Sequence, residues 1–119
     1  MADGAIKILY IDQTINNLDA FRAYFRREEA FSITTSISVE DALLSNDFHV
    51  MVIDHGLLNV ATAILEKLDG ANHSRLVKIL VTSNRDLQNE DVFRCHYKPF
   101  DFEDLRKSIE EAYQEYLKD

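Results

Sequence analysis

Five short runs rich in β-branched and aromatic residues punctuate this chain: "IKILYI" at 6 to 11, "FSITTS" at 31 to 36, "HVMVID" at 49 to 54, "VKILVT" at 77 to 82 and "VFRCHY" at 92 to 97. Between them lie segments with the 3.6-residue periodicity of helices. Strands that are apolar almost throughout must be covered on both faces, and parallel strands need helical crossovers to return the chain to the same edge. The alternation therefore predicts an α/β fold, a flavodoxin-like doubly wound sheet of five parallel strands in the order 2-1-3-4-5 with helices on both faces. Its length of 119 residues suits one domain, 1 to 119, with a core large enough to need no disulfide or structural metal.

The helices follow from apolar spacing. One is expected at 16 to 28, capped by Asn16 or Asn17, with Leu18, Phe21, Ala23, Tyr24 and Phe25 forming its apolar stripe. Ser38, with Asp41 three residues on, opens a short second helix in the manner of a capping box. Leu58, Ala61, Ile64, Leu65 and Leu68 mark the buried side of a third helix near 58 to 69. The last begins at Asp101 and buries Leu105, Ile109, Ala112, Tyr113 and Tyr116. Fifteen residues separate Thr82 from Lys98, too few for a full helical crossover once the fifth strand has taken its share. The fourth helix of the pattern is therefore expected to be shortened or missing, leaving strand surface around Ile79, Val81 and Phe93 without cover.

Composition narrows the function classes. A formal charge of -8 disfavours direct contact with nucleic acid or an anionic membrane, and no apolar run approaches a membrane span. The single cysteine, Cys95, cannot form an internal disulfide and reads as a small buried hydrophobe, in keeping with a reducing, cytoplasmic setting. His49, His73 and His96 share no zinc-like spacing, and three glycines without a cluster offer no cradle for a dinucleotide.

Polar residues end the strands. Asp12 closes the first, Asp54 the third, Thr82 the fourth, and Lys98 follows the fifth. In an open parallel sheet, ligands bind beyond the carboxyl ends where the winding reverses, here between the first and third strands. Two carboxylates there can hold a hard cation through oxygen, and that cation together with Lys98 would neutralise an incoming phosphoryl group.

These residues carry a resemblance. "KILYIDQTINNL", Asp54 after its apolar strand, "ILVTS", and "YKPF" followed by "DFEDLRKSI" resemble, in order and over nearly the whole chain, the receiver domain of bacterial two-component response regulators. The resemblance implies that Asp54 is the phosphoacceptor, served by a histidine kinase, a phosphotransfer protein or a small phosphodonor. It implies that Lys98 and Mg²⁺ stabilise the transferring oxygens and that Thr82 hydrogen-bonds the product. Asp12, Asp54 and the Gly56 carbonyl would be metal ligands, with Gln13 a weak one, and Lys98 to Pro99 a cis peptide. Such a module is a switch for an effector protein or output domain, with a homodimer a further partner, rather than an enzyme beyond assisting its own phosphorylation and dephosphorylation. In that family an output domain normally begins soon after the last helix.

Three features depart from the family pattern. Gln13 stands where a second acid is usual, so Mg²⁺ should bind weakly. Cys95 occupies a switch position that is generally aromatic, and the fourth crossover is short. These features favour the competing reading, a phosphorylation-independent pseudo-receiver that acts as a protein interaction module. His55, next to Asp54, is either a solvated loop residue or a group that tunes hydrolysis. A metabolic enzyme on the same fold is remote, because no further set of base, nucleophile and oxyanion donors emerges.

Overall fold

The structure, a computed structural model, describes residues 5–26, 28–45, 48–67, 76–84, 92–98 and 100–118. Its elements in order are β1 (Ile6–Ile11), α1 (Ile15–Phe25), β2 (Phe31–Ser36), α2 (Val39–Ser45), β3 (Val50–Asp54), a 3₁₀ turn (His55–Leu57), α3 (Leu58–Lys67), β4 (Val77–Thr82), β5 (Arg94–Tyr97) and α4 (Phe102–Leu117). The strands form one sheet in the order β2-β1-β3-β4-β5, and every pairing is parallel. This is the doubly wound order expected from the sequence.

Alternation along each strand sends side chains to two separate cores. Ile6, Ile8 and Tyr10 of β1, Val50 and Val52 of β3, and Ile79 and Val81 of β4 face Leu18, Phe21 and Phe25 of α1 and Leu105, Ile109 and Ala112 of α4. Leu9, Ile11, Met51, Ile53 and Leu80 point the other way, against Val39, Ala42 and Leu43 of α2 and Leu58 and Ala61 of α3. A period of two thus explains why β1, β3 and β4, covered on both faces, are apolar almost throughout.

Several boundaries differ from the sequence reading. Helix α1 starts earlier and ends sooner than 16 to 28; Thr14 is its N-cap residue and its side chain accepts no capping hydrogen bond, while Asn17 is drawn off to a carboxylate described below. Ala23 and Tyr24 lie on its exposed side, so its buried stripe is only Leu18, Phe21 and Phe25. Strand β5 is shorter than 92 to 97, although Phe93 N still donates to Lys78 O at 2.8 Å. The Ser38 cap is present, its Oγ accepting from Asp41 N at 3.3 Å. Asp101 caps α4, its side chain accepting from Glu103 N at 2.8 Å. Tyr113 and Tyr116 are half-buried and pack around His49, with ring centroids 4.9 and 4.7 Å away.

The expectation of uncovered strand surface is corrected. Ile79 and Val81 are fully buried, and α4 supplies the cover, with Phe93 packed at the margin. The reason is topological: the C-terminal helix crosses back over β4 and β3, so the face does not depend on the crossover between β4 and β5. That crossover, 85 to 91, lies outside the described residues, as do Leu68, His73 and Pro99 with its expected cis bond.

Candidate functional site

The sheet places the strand ends at one rim. Ile11 is in register with Ile53, and Asp54 with Val81, so Asp12 and Asp54 emerge side by side at the point where the winding reverses. Thr82 is in register with Tyr97, and Lys98 N donates to Thr82 O at 2.7 Å, which anchors the base of the Lys98 side chain beside them.

Lys98 reaches both acids. Its Nζ donates to Asp54 Oδ1 at 2.8 Å and to Asp12 Oδ2 at 3.0 Å. Asp12 is 1% exposed, whereas Asp54 is 17% and Lys98 22% exposed, so the pocket opens over Asp54 and closes over Asp12. Burial alone would lower the Lys98 pKa, but the hydrogen bonds to Asp54 and Asp12 and the charge of both carboxylates outweigh it and raise the pKa above the usual lysine value. The cation bridges two like charges that would otherwise repel.

Asp12 is held by more than Lys98. The Tyr10 hydroxyl donates to Oδ2 at 2.6 Å, Asn17 Nδ2 to the same oxygen at 3.2 Å, and Thr14 N to Oδ1 at 2.9 Å. Burial would push this carboxyl up. The hydrogen bonds from Tyr10, Thr14 and Lys98, with the charge of Lys98, hold it below the ordinary carboxylate range instead. Tyr10 shifts upward, through burial first and then through its bond to Asp12 and the charges of Asp12 and Asp54.

These directions give a pH dependence. Tyr10 and Lys98 have raised folded pKa values, so their stabilisation is complete below about pH 10, where the unfolded groups titrate, and is lost as pH rises toward the folded values. Asp12 has a lowered value, so its share is complete above about pH 4 and is lost as pH falls toward the folded value. Melting temperature followed by circular dichroism should hold between these limits and drop beyond about pH 10, and Tyr10→Phe should lessen that alkaline drop.

The remaining expected residues are placed as follows. A Cβ built on Gly56 would lie 3.5 Å from both Asp54 Oδ2 and Gln13 Nε2, so the 3₁₀ turn brings Gly56, Gln13 and Asp54 around one small space. With its amide turned so that Oε1 faces this space, Gln13 would join Asp54 and the Gly56 carbonyl as oxygen donors of the kind a hard dication takes, with less negative charge than three carboxylates would supply. Thr82 is 3% exposed, and its Oγ1 accepts from Asn84 N at 3.1 Å; the described contacts do not join it to Asp54. His55 is exposed in the turn. Cys95 is half-buried rather than fully buried, packs toward the α2 and α3 side, and burial raises its thiol pKa against a hydrogen bond from Tyr97.

Sequence reasoning missed Tyr10, Asn17 and Thr14. A signal for Tyr10 was there: it sits two residues before Asp12, which puts both on one side of an extended strand, and a buried tyrosine needs a partner for its hydroxyl.

No family model and no curated protein matches this chain. Solved structures match it closely in shape. Superposition on the signal receiver domain of an HD domain-containing protein from Pseudomonas fluorescens Pf-5 gives a TM-score of 0.79 at 16% identity, covering 97% of this chain and 99% of that one. An adenylate cyclase structure from Rhodopirellula baltica gives 0.75 at 25% identity, covering 94% of this chain and 90% of that one. The response regulator protein TrrA from Thermotoga maritima, in complex with Mg²⁺-BeF, gives 0.70 at 22% identity, covering 90% and 98%. Further response regulator receiver domains recur among the matched structures. With its strand order, its helices on both faces and these superpositions, the chain has the fold of a response regulator receiver domain.

Proposed function

We propose that this protein is a phosphoacceptor module that takes a phosphoryl group on Asp54 and uses the change to alter a partner interaction. The observation that carries this reading is the Lys98 ammonium between Asp12 and Asp54, with the pocket open over Asp54. An Asp54 carboxylate oxygen attacks phosphorus, and the bond from phosphorus to the donor breaks, the leaving group keeping the electron pair. With acetyl phosphate that group is acetate; with a phosphohistidine it is the imidazole. Lys98 then balances charge on the phosphoryl oxygens. Bound in the space shared by Asp54, Gln13 and Gly56, with Asp12 adjoining, Mg²⁺ would add a second positive charge against those oxygens. Thr82, at the end of the neighbouring strand, would exchange its bond from Asn84 for one to the phosphoryl group. The donors and readers of the signal would be a histidine kinase or phosphotransfer protein and an effector or output domain; a homodimer is the alternative reader.

Intact-mass spectrometry after incubation with acetyl phosphate tests this. The expected result is a Mg²⁺-dependent gain of one phosphoryl group by the native chain and none by Asp54→Asn. A second reading, a pseudo-receiver that binds its partner without phosphorylation, draws on the uncharged Gln13 and on the four donors already held by Asp12. Absence of an adduct with acetyl phosphate and with phosphorylated donor proteins would favour it.

A further inference from the structure

Asp12 Oδ2 accepts from Tyr10, Asn17 and Lys98 together, at 2.6, 3.2 and 3.0 Å, and Thr14 N takes Oδ1. A carboxylate has about four lone-pair sites over its two oxygens, so Oδ2 is saturated. The shortest of these bonds comes from the most rigid donor. Tyr10 is fully buried, and its ring lies 4.6 Å from Phe21, which in turn packs 4.6 Å from Phe25. Lys98 can swing on a flexible stem and Asn17 is half-buried on the helix, but the Tyr10 hydroxyl cannot withdraw without disturbing the core beneath it.

We infer that Tyr10 is a positioning residue that holds Asp12 as an internal anchor for Lys98 and thereby weakens the pocket's grip on a divalent cation. The inference rests on the reading above, in which the pocket takes Mg²⁺, and adds what sets the affinity. A cation approaching Asp12 must either displace a donor from Oδ2 or share Oδ1 with the Thr14 amide, and as long as the hydroxyl bond stays it draws electron density from the carboxylate. Gln13 removes one charge from the space and Tyr10 occupies an oxygen of the charge that is left. The two changes act in the same direction. In exchange, Asp12 keeps its hydrogen-bond partners when no cation is present, which keeps Lys98 directed at the Asp54 side of the pocket.

Isothermal titration calorimetry with Mg²⁺, and with Mn²⁺ as a second probe, on the native chain, Tyr10→Phe, Asn17→Ala and Asp54→Asn tests the assignment. The expected result is weak binding by the native chain, binding about fivefold tighter in Tyr10→Phe because one hydrogen bond no longer competes for the carboxylate, a smaller tightening in Asn17→Ala, and loss in Asp54→Asn. A purely structural tyrosine would lower the melting temperature and leave affinity unchanged; equal or weaker affinity in Tyr10→Phe therefore overturns the inference. Should circular dichroism show that Tyr10→Phe does not fold, Asn17→Ala decides, and unchanged or weaker binding there overturns it. Binding by the native chain that is lost in Asp54→Asn but unchanged in Tyr10→Phe and Asn17→Ala sinks the Tyr10 assignment alone. No binding by any of them overturns both that assignment and the metal part of the proposed function, while the mass measurement on Asp54 decides the phosphoryl part independently.

Discussion

Lys98→Met is expected to slow phosphoryl uptake from acetyl phosphate by roughly a hundredfold to a thousandfold, the usual loss when one preorganised charge-stabilising donor is removed. Mass spectrometry over a time course would read it. The same change should also destabilise the fold, because Asp12 is buried and Asp54 would face it with no cation between them. Breaking a fully buried ion pair costs about 3–5 kcal/mol, and partial exposure of Lys98 brings the expectation to about 2–3 kcal/mol, measured by urea unfolding. Methionine keeps much of the apolar stem, so the loss reports the charge rather than packing. Added Mg²⁺ should restore part of the stability of Lys98→Met by standing in for the missing positive charge. A Lys98→Met protein as stable as the native one and equally fast in phosphoryl uptake would contradict the central role of the bridge.

Phe21→Ala is expected to cost about 3–5 kcal/mol, the range for emptying a buried aromatic site, and to lower the melting temperature by roughly 10–20 °C. Phe21 is fully buried at the centre of an aromatic run that includes Tyr10, Phe25 and Phe102, with centroid distances of 4.6, 4.6 and 6.3 Å. Loss of the ring removes the support of Tyr10, so the effect reaches Asp12 through one intervening residue. Tyr24→Ala is the matched comparison. Tyr24 stacks on Phe102 at 5.2 Å but is exposed, and its removal should cost under about 1 kcal/mol. Thermal unfolding of both variants would show whether α1 is held by its buried stripe or by its outer aromatic contact.

Strands were the most legible part of the chain. "IKILYI", "FSITTS" and "VKILVT" match β1, β2 and β4 end to end, because short runs rich in β-branched and aromatic residues, bounded by polar and turn-forming residues, read as strands. Helix ends were less so. Asn17 is a good local cap by composition, yet the helix begins two residues before it, so Asn17 sits in the first turn and its side-chain amide donates to the Asp12 carboxylate. Ala23 and Tyr24 read as apolar stripe from their residue types, but the crossing of α1 over the sheet leaves their side of the helix outside. The cover over Ile79 and Val81 was misjudged for a similar reason: which helix lies over a strand depends on the path of the C-terminal segment, and local spacing carries no record of it.

The rim residues divide along the same line. Asp12, Asp54 and Lys98 were readable because strand order alone puts the ends of β1, β3 and β5 on one edge of a parallel sheet. From periodicity and strand-terminal polarity, the amino-acid sequence by itself determined the layered fold and the place where acids and lysine converge. Only the tertiary structure decided how they are connected: that Lys98 spans both carboxylates, that Asp12 is closed off while Asp54 stays accessible, and that Tyr10 takes a share of Asp12. Register and strand direction follow from a repeating pattern, whereas a hydrogen bond requires atoms to meet within a few tenths of an ångström, a distance set by the packing of Phe21 and its neighbours beneath the site.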